Sequence, residues 1–125
     1  MDDKEFFLAV ADRTGLSRQE AADLTRATLE TLARRLSDGE ARDLALELPE
    51  PLRDSFNRGR GEMETFGPDE SIRKVRGRTG LSGPETASGV RAVFSTLQEA
   101  ISHKEFEHAM SQLGKEYAQL VESTS

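Results

Sequence analysis

The pentapeptide Arg13-Thr14-Gly15-Leu16-Ser17 recurs as Arg78-Thr79-Gly80-Leu81-Ser82, and the match runs on in both directions at a constant offset of 65 residues. Glu5/Glu70, Val10/Val75, Glu20/Glu85, Ala22/Ala87, Arg26-Ala27/Arg91-Ala92, Thr31-Leu32/Thr96-Leu97, Ser37/Ser102, Glu40/Glu105 and Leu48/Leu113 are identical pairs. From Glu5 to Phe56, 16 of 52 positions equal their counterparts. An ungapped self-similarity of that length marks a duplicated supersecondary unit, so whatever this chain folds into is built twice. With 125 residues in all, each half alone would bury too little surface, and the two copies are expected to share one interior. The expected organisation is one domain over 1–125, with repeat one at 3–56, a linker at 57–68 and repeat two at 69–121.

The repeated positions spell helix starts. Ser17-x-x-Glu20, Ser82-x-x-Glu85, Ser37-x-x-Glu40 and Ser102-x-x-Glu105 all fit the capping box, in which hydroxyl and carboxylate each satisfy an orphan backbone donor. Apolar spacing agrees with helices after each box. Ala22, Thr25, Leu29, Leu32 and Leu36 recur at steps of three or four, matched by Ala87, Val90, Phe94, Leu97 and Ile101. A third helix shows Ala41, Leu44, Ala45 and Leu48 against Phe106, Ala109, Met110 and Leu113. A first helix with Phe6, Phe7 and Val10 ends at Gly15, and a short fourth follows Pro51. Strand-like alternation is absent. The expected class is all-α: a compact bundle of six to eight short helices in two similar repeats with pseudo-two-fold symmetry.

The copies also disagree. Leu8, Ala9 and Ala11 become Arg73, Lys74 and Arg76, which removes apolar surface from the first helix of repeat two. Gly89 replaces Leu24 in mid-helix, at a cost of about 1 kcal/mol relative to alanine. Close approach of a neighbouring helix is the rival explanation for that glycine. Gly59-Arg60-Gly61 reads as loop chemistry only.

Phe6, Phe7, Leu8 and Val10, the Arg13-to-Ser17 run with Glu20-Ala21, the Arg26-Ala27 pair, the Leu32-to-Glu40 run and Leu46-Glu47-Leu48-Pro49 with Leu52 together resemble a bacterial family, domain of unknown function 2267. The resemblance covers nearly the whole chain. It implies an all-helical, internally duplicated prokaryotic protein with no assigned activity or cofactor. Repeat two departs from the pattern at Ser102-His103-Lys104-Glu105 and at Gly114, where repeat one has Ser-Asp-Gly-Glu and Pro49.

Composition narrows function by exclusion. Without cysteine there is no disulfide framework, thiolate zinc site or thiol nucleophile. The start, Met1-Asp2-Asp3-Lys4-Glu5, lacks a basic region followed by an apolar run, and no apolar stretch approaches the roughly 20 residues of a membrane span. The expected location is cytoplasmic, with no membrane partner. The net charge of -6 opposes phosphate-backbone binding, so nucleic acid is not an expected partner. No Gly-rich phosphate loop, Ser/His/Asp set or HExxH appears, and neither an enzyme nor a resident cofactor is expected.

Two places remain for chemistry. Arg73, Lys74, Arg76 and Arg78 form a basic run which, with Arg91, would draw a phosphate, an anionic metabolite or an acidic protein face. His103 and His108 share a helix with Glu105, and Glu105-x-x-His108 has the spacing of one half of a carboxylate-bridged metal site. Repeat one carries Asp43 where His108 falls, and the capping box already accounts for Glu105, so solvated histidines are the simpler reading. Arg13 and Arg78 fall in the last turn of a helix, where the macrodipole favours cations, and Arg26 and Arg91 are expected to pair across helices with Glu30, Glu20 or Glu85. The leading expectation is a non-enzymatic protein-interaction or regulatory module with an unknown protein partner or self-association. The alternatives are a regulator binding an anionic metabolite or nucleotide between the repeats and, behind it, a metal-binding bundle.

Overall fold

Residues 1–122 are described by the structure, a computed structural model; residues 123–125 of the expected domain lie outside the described residues. Among the described residues there are eight helices and no strand: α1 (Asp3–Thr14), α2 (Arg18–Arg34), α3 (Asp38–Leu46), α4 (Glu50–Arg58), α5 (Pro68–Thr79), α6 (Gly83–Ala100), α7 (His103–Leu113) and α8 (Lys115–Glu122). Each helix of the second set begins 65 residues after its counterpart in the first. None is long and apolar enough to cross a membrane.

Local chemistry accounts for most of these boundaries. Ser17 Oγ accepts the Glu20 amide (3.1 Å) while the Ser17 amide donates to Glu20 Oε1 (3.0 Å). Ser82 and Glu85 repeat the exchange at 3.2 and 3.0 Å, and the hydrogen bonds from the Ser82 amide and then its hydroxyl hold the Glu85 carboxyl below its ordinary range. Asp2 and Glu5 make a third reciprocal box, one the Ser-x-x-Glu pattern does not reveal. Gly15 and Gly80, at φ of 77° and 75°, close α1 and α5 in the left-handed conformation that glycine adopts without strain.

The boxes expected at α3 and α7 are only half made. Ser37 and Ser102 accept the Glu40 and Glu105 amides (3.3 and 3.2 Å), but neither glutamate returns the bond. Each serine amide is served instead from the opposite repeat. Ser37 donates to Gln112 Oε1 (2.9 Å), and Ser102 donates to Glu47 Oε1 (2.7 Å). Gln112 and Glu47 are themselves counterparts at the offset of 65. A partner far away in sequence, already in place once the repeats dock, displaces the local carboxylate.

The helices enclose a single core. α2 packs on α1, α4, α5 and α6, while α1 crosses to α6 and α5 crosses to α2, so the repeats are interlocked rather than set side by side. Phe6, Val10, Leu24, Leu29, Leu44, Leu52, Phe56 and Val75 are fully buried. α1 buries two phenylalanines and Val10; α5 buries only Ser71 and Val75. The small Ser71 is answered by a large residue at 117: its hydroxyl lies 2.5 Å from the Tyr117 hydroxyl, which also donates to the Phe66 carbonyl (3.1 Å). Gly89 is a packing glycine, as the close-approach reading held, because the Leu24 side chain fills the space its Cβ would take.

The duplicated arginines clamp one repeat to the other. Arg13 donates to Thr96 Oγ1 (2.5 Å) and pairs with Glu99 on α6. Arg78 donates to Glu30 Oε2 on α2 (2.9 Å), which holds the Glu30 carboxyl below its ordinary range. The cross-helix pairing expected of Arg26 and Arg91 is not made. Arg26 pairs with Asp23 on its own helix (3.5 Å) and lies over the Phe7 ring (5.2 Å), while the buried Arg91 Nε has no partner.

Candidate functional site

At the C-terminal end of α2 the apolar stripe of Leu29, Leu32 and Leu36 is interrupted by a cation. Arg35, three residues beyond Leu32, lies on the same side of the helix, and its side chain must run inward. It is only 8% exposed. Its guanidinium donates to the carbonyls of Glu64 (3.2 Å) and Leu113 (2.9 Å) and stands 5.3 Å from the centre of the Tyr117 ring. Its Nε is buried with no acceptor. No carboxylate among the described residues pairs with it, although unpaired buried charges are expensive in a folded protein.

Arg35 walls a cavity of about 340 Å³ between the repeats, formed with Thr65, Phe66, Gly67, Pro68, Leu113, Gly114, Lys115, Glu116 and Tyr117. Two helices begin at this cavity. α5 starts at Pro68 with Gly67 at its cap and no side chain bonded to its free amides; α8 starts at Lys115 after Gly114. Helix N-termini present backbone N–H groups and a partial positive charge to whatever lies in front of them. Arg35 and Lys115 add two full positive charges. Glu116 is the opposing group, its carboxylate so close to Gly67 that a Cβ there would stand 3.2 Å from Oε2. Burial holds the Tyr117 hydroxyl above its usual range, so this wall offers a neutral phenol.

The residues singled out in the sequence lie elsewhere. Arg73 bonds Glu70 on its own turn (2.8 Å through Nε), and Lys74 lies 5.0 Å from the centre of the Phe66 ring. Arg76 is exposed on α5, Arg78 is committed to Glu30, and Arg91 is half-buried. None of the five lines the Arg35 cavity. His103 pairs with Glu107 (3.0 Å), both exposed, and His108 is exposed as well. Glu105 turns towards Glu40 on α3, away from the role of capping partner expected for it. Among the described residues, no three of His, Cys, Asp and Glu are grouped so as to hold a metal ion.

Arg35 was passed over in the sequence, where the available signal was a charge three residues beyond Leu32 on the apolar stripe; its counterpart Ala100 shows that the repeat does not require it. The rest of the cavity was not. Gly67, Gly114 and Lys115 acquire a role only because two helix starts, 47 residues apart from Pro68 to Lys115, meet in space.

No curated protein matches the chain. A family model described as "Uncharacterized conserved protein (DUF2267)" matches residues 3–120, and the chain belongs to that family.

Proposed function

We propose that this chain is a non-enzymatic regulatory module that takes a small anionic ligand in the cavity beside Arg35. The observation that carries this reading is a nine-tenths-buried guanidinium with no carboxylate partner, on the wall of a cavity where two helices begin. An oxyanion there meets backbone N–H groups, the Arg35 charge and the Lys115 ammonium, and Arg35 gains the counter-charge it lacks. The cavity's size suits a phosphate or small carboxylate better than a whole nucleotide, since it lies at the lower end of ligand-pocket volumes, on the order of 300–1,000 Å³.

We also infer that the repeats are related by an approximate two-fold rotation, which places this cavity at a joint able to respond to a ligand. Like meets like in support of this: Leu24 packs on Gly89, Glu40 faces Glu105, and Ser37–Gln112 mirrors Ser102–Glu47.

Inorganic phosphate is the probe. Titrated against sodium chloride at equal ionic strength, it is expected to raise the Tm of the full chain; saturation a hundredfold above Kd stabilises a fold by about 2.7 kcal/mol. Arg35→Met should abolish the effect, exposed Lys115→Ala should weaken it, and Glu116→Gln should strengthen it by removing the competing carboxylate. Equal phosphate stabilisation of the wild type and Arg35→Met would discard the site, as would no stabilisation of the wild type.

A further inference from the structure

The crossed caps of α3 and α7 have a chemical consequence. Because Gln112 and Glu47 serve the serine amides, Glu40 and Glu105 are released from capping, and both turn into the seam between α3 and α7. Their carboxyl groups come within hydrogen-bonding reach of one another. Glu40 Oε1 and Glu105 Oε1 are both shut off from solvent, and neither has a hydrogen-bond partner. Ionised carboxylates have no hydrogen to donate, so two of them in contact are repulsive. A proton held between the two carboxyl groups turns that repulsion into an O–H···O bond and satisfies both orphan oxygens.

The surroundings offer no substitute. Asp43 on α3 and Glu47 at its C-terminal cap also act on Glu105, and both are acidic. Lys104, Glu107, His103 and His108 share α7 with Glu105 but are exposed, and His103 is paired with Glu107. On neighbouring elements, Arg53 of α4 is spent on the Ala45 and Leu48 carbonyls, Glu99 of α6 is paired with Arg13, and Lys115 and Glu116 of α8 line the Arg35 cavity.

We propose that Glu40 and Glu105 hold a single proton between them, and that its release loosens the seam between α3 and α7, making this joint between the repeats a pH-sensitive closure. Burial first, then the contact with Glu40, pushes the Glu105 carboxyl up from 4.5 to about 7. The folded chain therefore binds a proton that the unfolded chain has already released. Its stabilisation is complete below about pH 4.5, declines as pH rises and is gone above about pH 7. Glu30 and Glu85, whose carboxyls are held low, slope the other way and act only in more acid solution.

The full chain is followed by thermal unfolding and by amide exchange of α7 from pH 5 to 8.5, without phosphate, so the result is independent of the anion cavity. For one proton the folding equilibrium constant is expected to fall by up to about tenfold per pH unit between roughly pH 5 and 7. Glu105→Gln and Glu40→Gln each supply a permanent N–H donor and should flatten the profile, whereas His103→Asn/His108→Asn should leave the slope unchanged. The carbon-13 shift of the wild-type Glu105 carboxyl should report a titration step near neutrality that Glu40→Gln abolishes or moves. A flat wild-type profile, a slope that survives Glu105→Gln or vanishes in the histidine variant, or a Glu105 carboxyl titrating near 4.5 would overturn the proposal.

Discussion

Leucine at position 89, the residue that the first repeat carries at the equivalent site, is expected to destabilise this protein by more than about 3 kcal/mol. Two effects oppose one another at this position. Glycine in mid-helix costs about 1 kcal/mol relative to alanine, so any side chain should help α6 as an isolated helix. Packing decides otherwise. A Cβ on Gly89 would stand 2.2 Å from Leu24 Cδ2 and 2.8 Å from Cδ1, where carbon atoms are comfortable at about 3.5–4.0 Å. Leu24 is fully buried, so turning its side chain aside displaces its neighbours in the core. Alanine at 89 is therefore already net destabilising, and leucine adds three further carbons to a filled core. Against a total stability on the order of 5–15 kcal/mol, that loss leaves little. The transposed variant Leu24→Gly/Gly89→Leu moves the knob to the other helix and should recover most of it, a coupling far from additive. Urea midpoints of the two single variants and the double variant measure this directly. A Gly89→Leu protein with the wild-type midpoint would mean that α2 and α6 do not meet at this pair.

How far the sequence can be read depends on whether a residue's partner is local. Ser17-Glu20 and Ser82-Glu85 cap their helices as their spacing predicts, because both partners sit within one turn. Ser37-Glu40 and Ser102-Glu105 have the same spacing, yet their return bonds come from residues 75 and 55 positions away. Nothing in a four-residue motif announces that competitor. The apolar stripe of α2 was visible as a period of three to four, and the buried Arg35, passed over in the sequence, is the charge that breaks it. The carbonyls that hold Arg35, those of Glu64 and Leu113, are backbone groups, and backbone acceptors leave no trace in residue type. The basic run 73–78 drew attention because its charges are neighbours in sequence. On a helix they diverge, one to Glu70, one to Phe66 and one across to Glu30.

Gly59→Ala, a single methyl in what the sequence presents as a linker, is expected to cost on the order of 3 kcal/mol or more. Backbone conformation is not the reason. Gly59 caps α4 at φ −87° and ψ −9°, angles open to any residue. The obstacle is the carbonyl of Glu30: an added Cβ would lie 1.8 Å from that oxygen, 2.8 Å from its carbon and 3.1 Å from the Ala33 Cβ. A clash with a flexible side chain is relieved by a rotation, but this one is with the backbone of α2. Relief requires α4 to move away, and α4 brings Leu52 and Phe56, both fully buried, against that helix. The displacement also reaches the joint between repeats, because the Glu30 carboxylate receives Arg78. Gly39→Ala is the matching control. Its Cβ meets nothing within 4 Å and it lies in α3, so alanine there should stabilise by up to about 1 kcal/mol. Urea unfolding should move the two midpoints in opposite directions. If both rise together, α4 does not lie against α2 at this point, and the reading of Gly59 as a contact between helices is wrong.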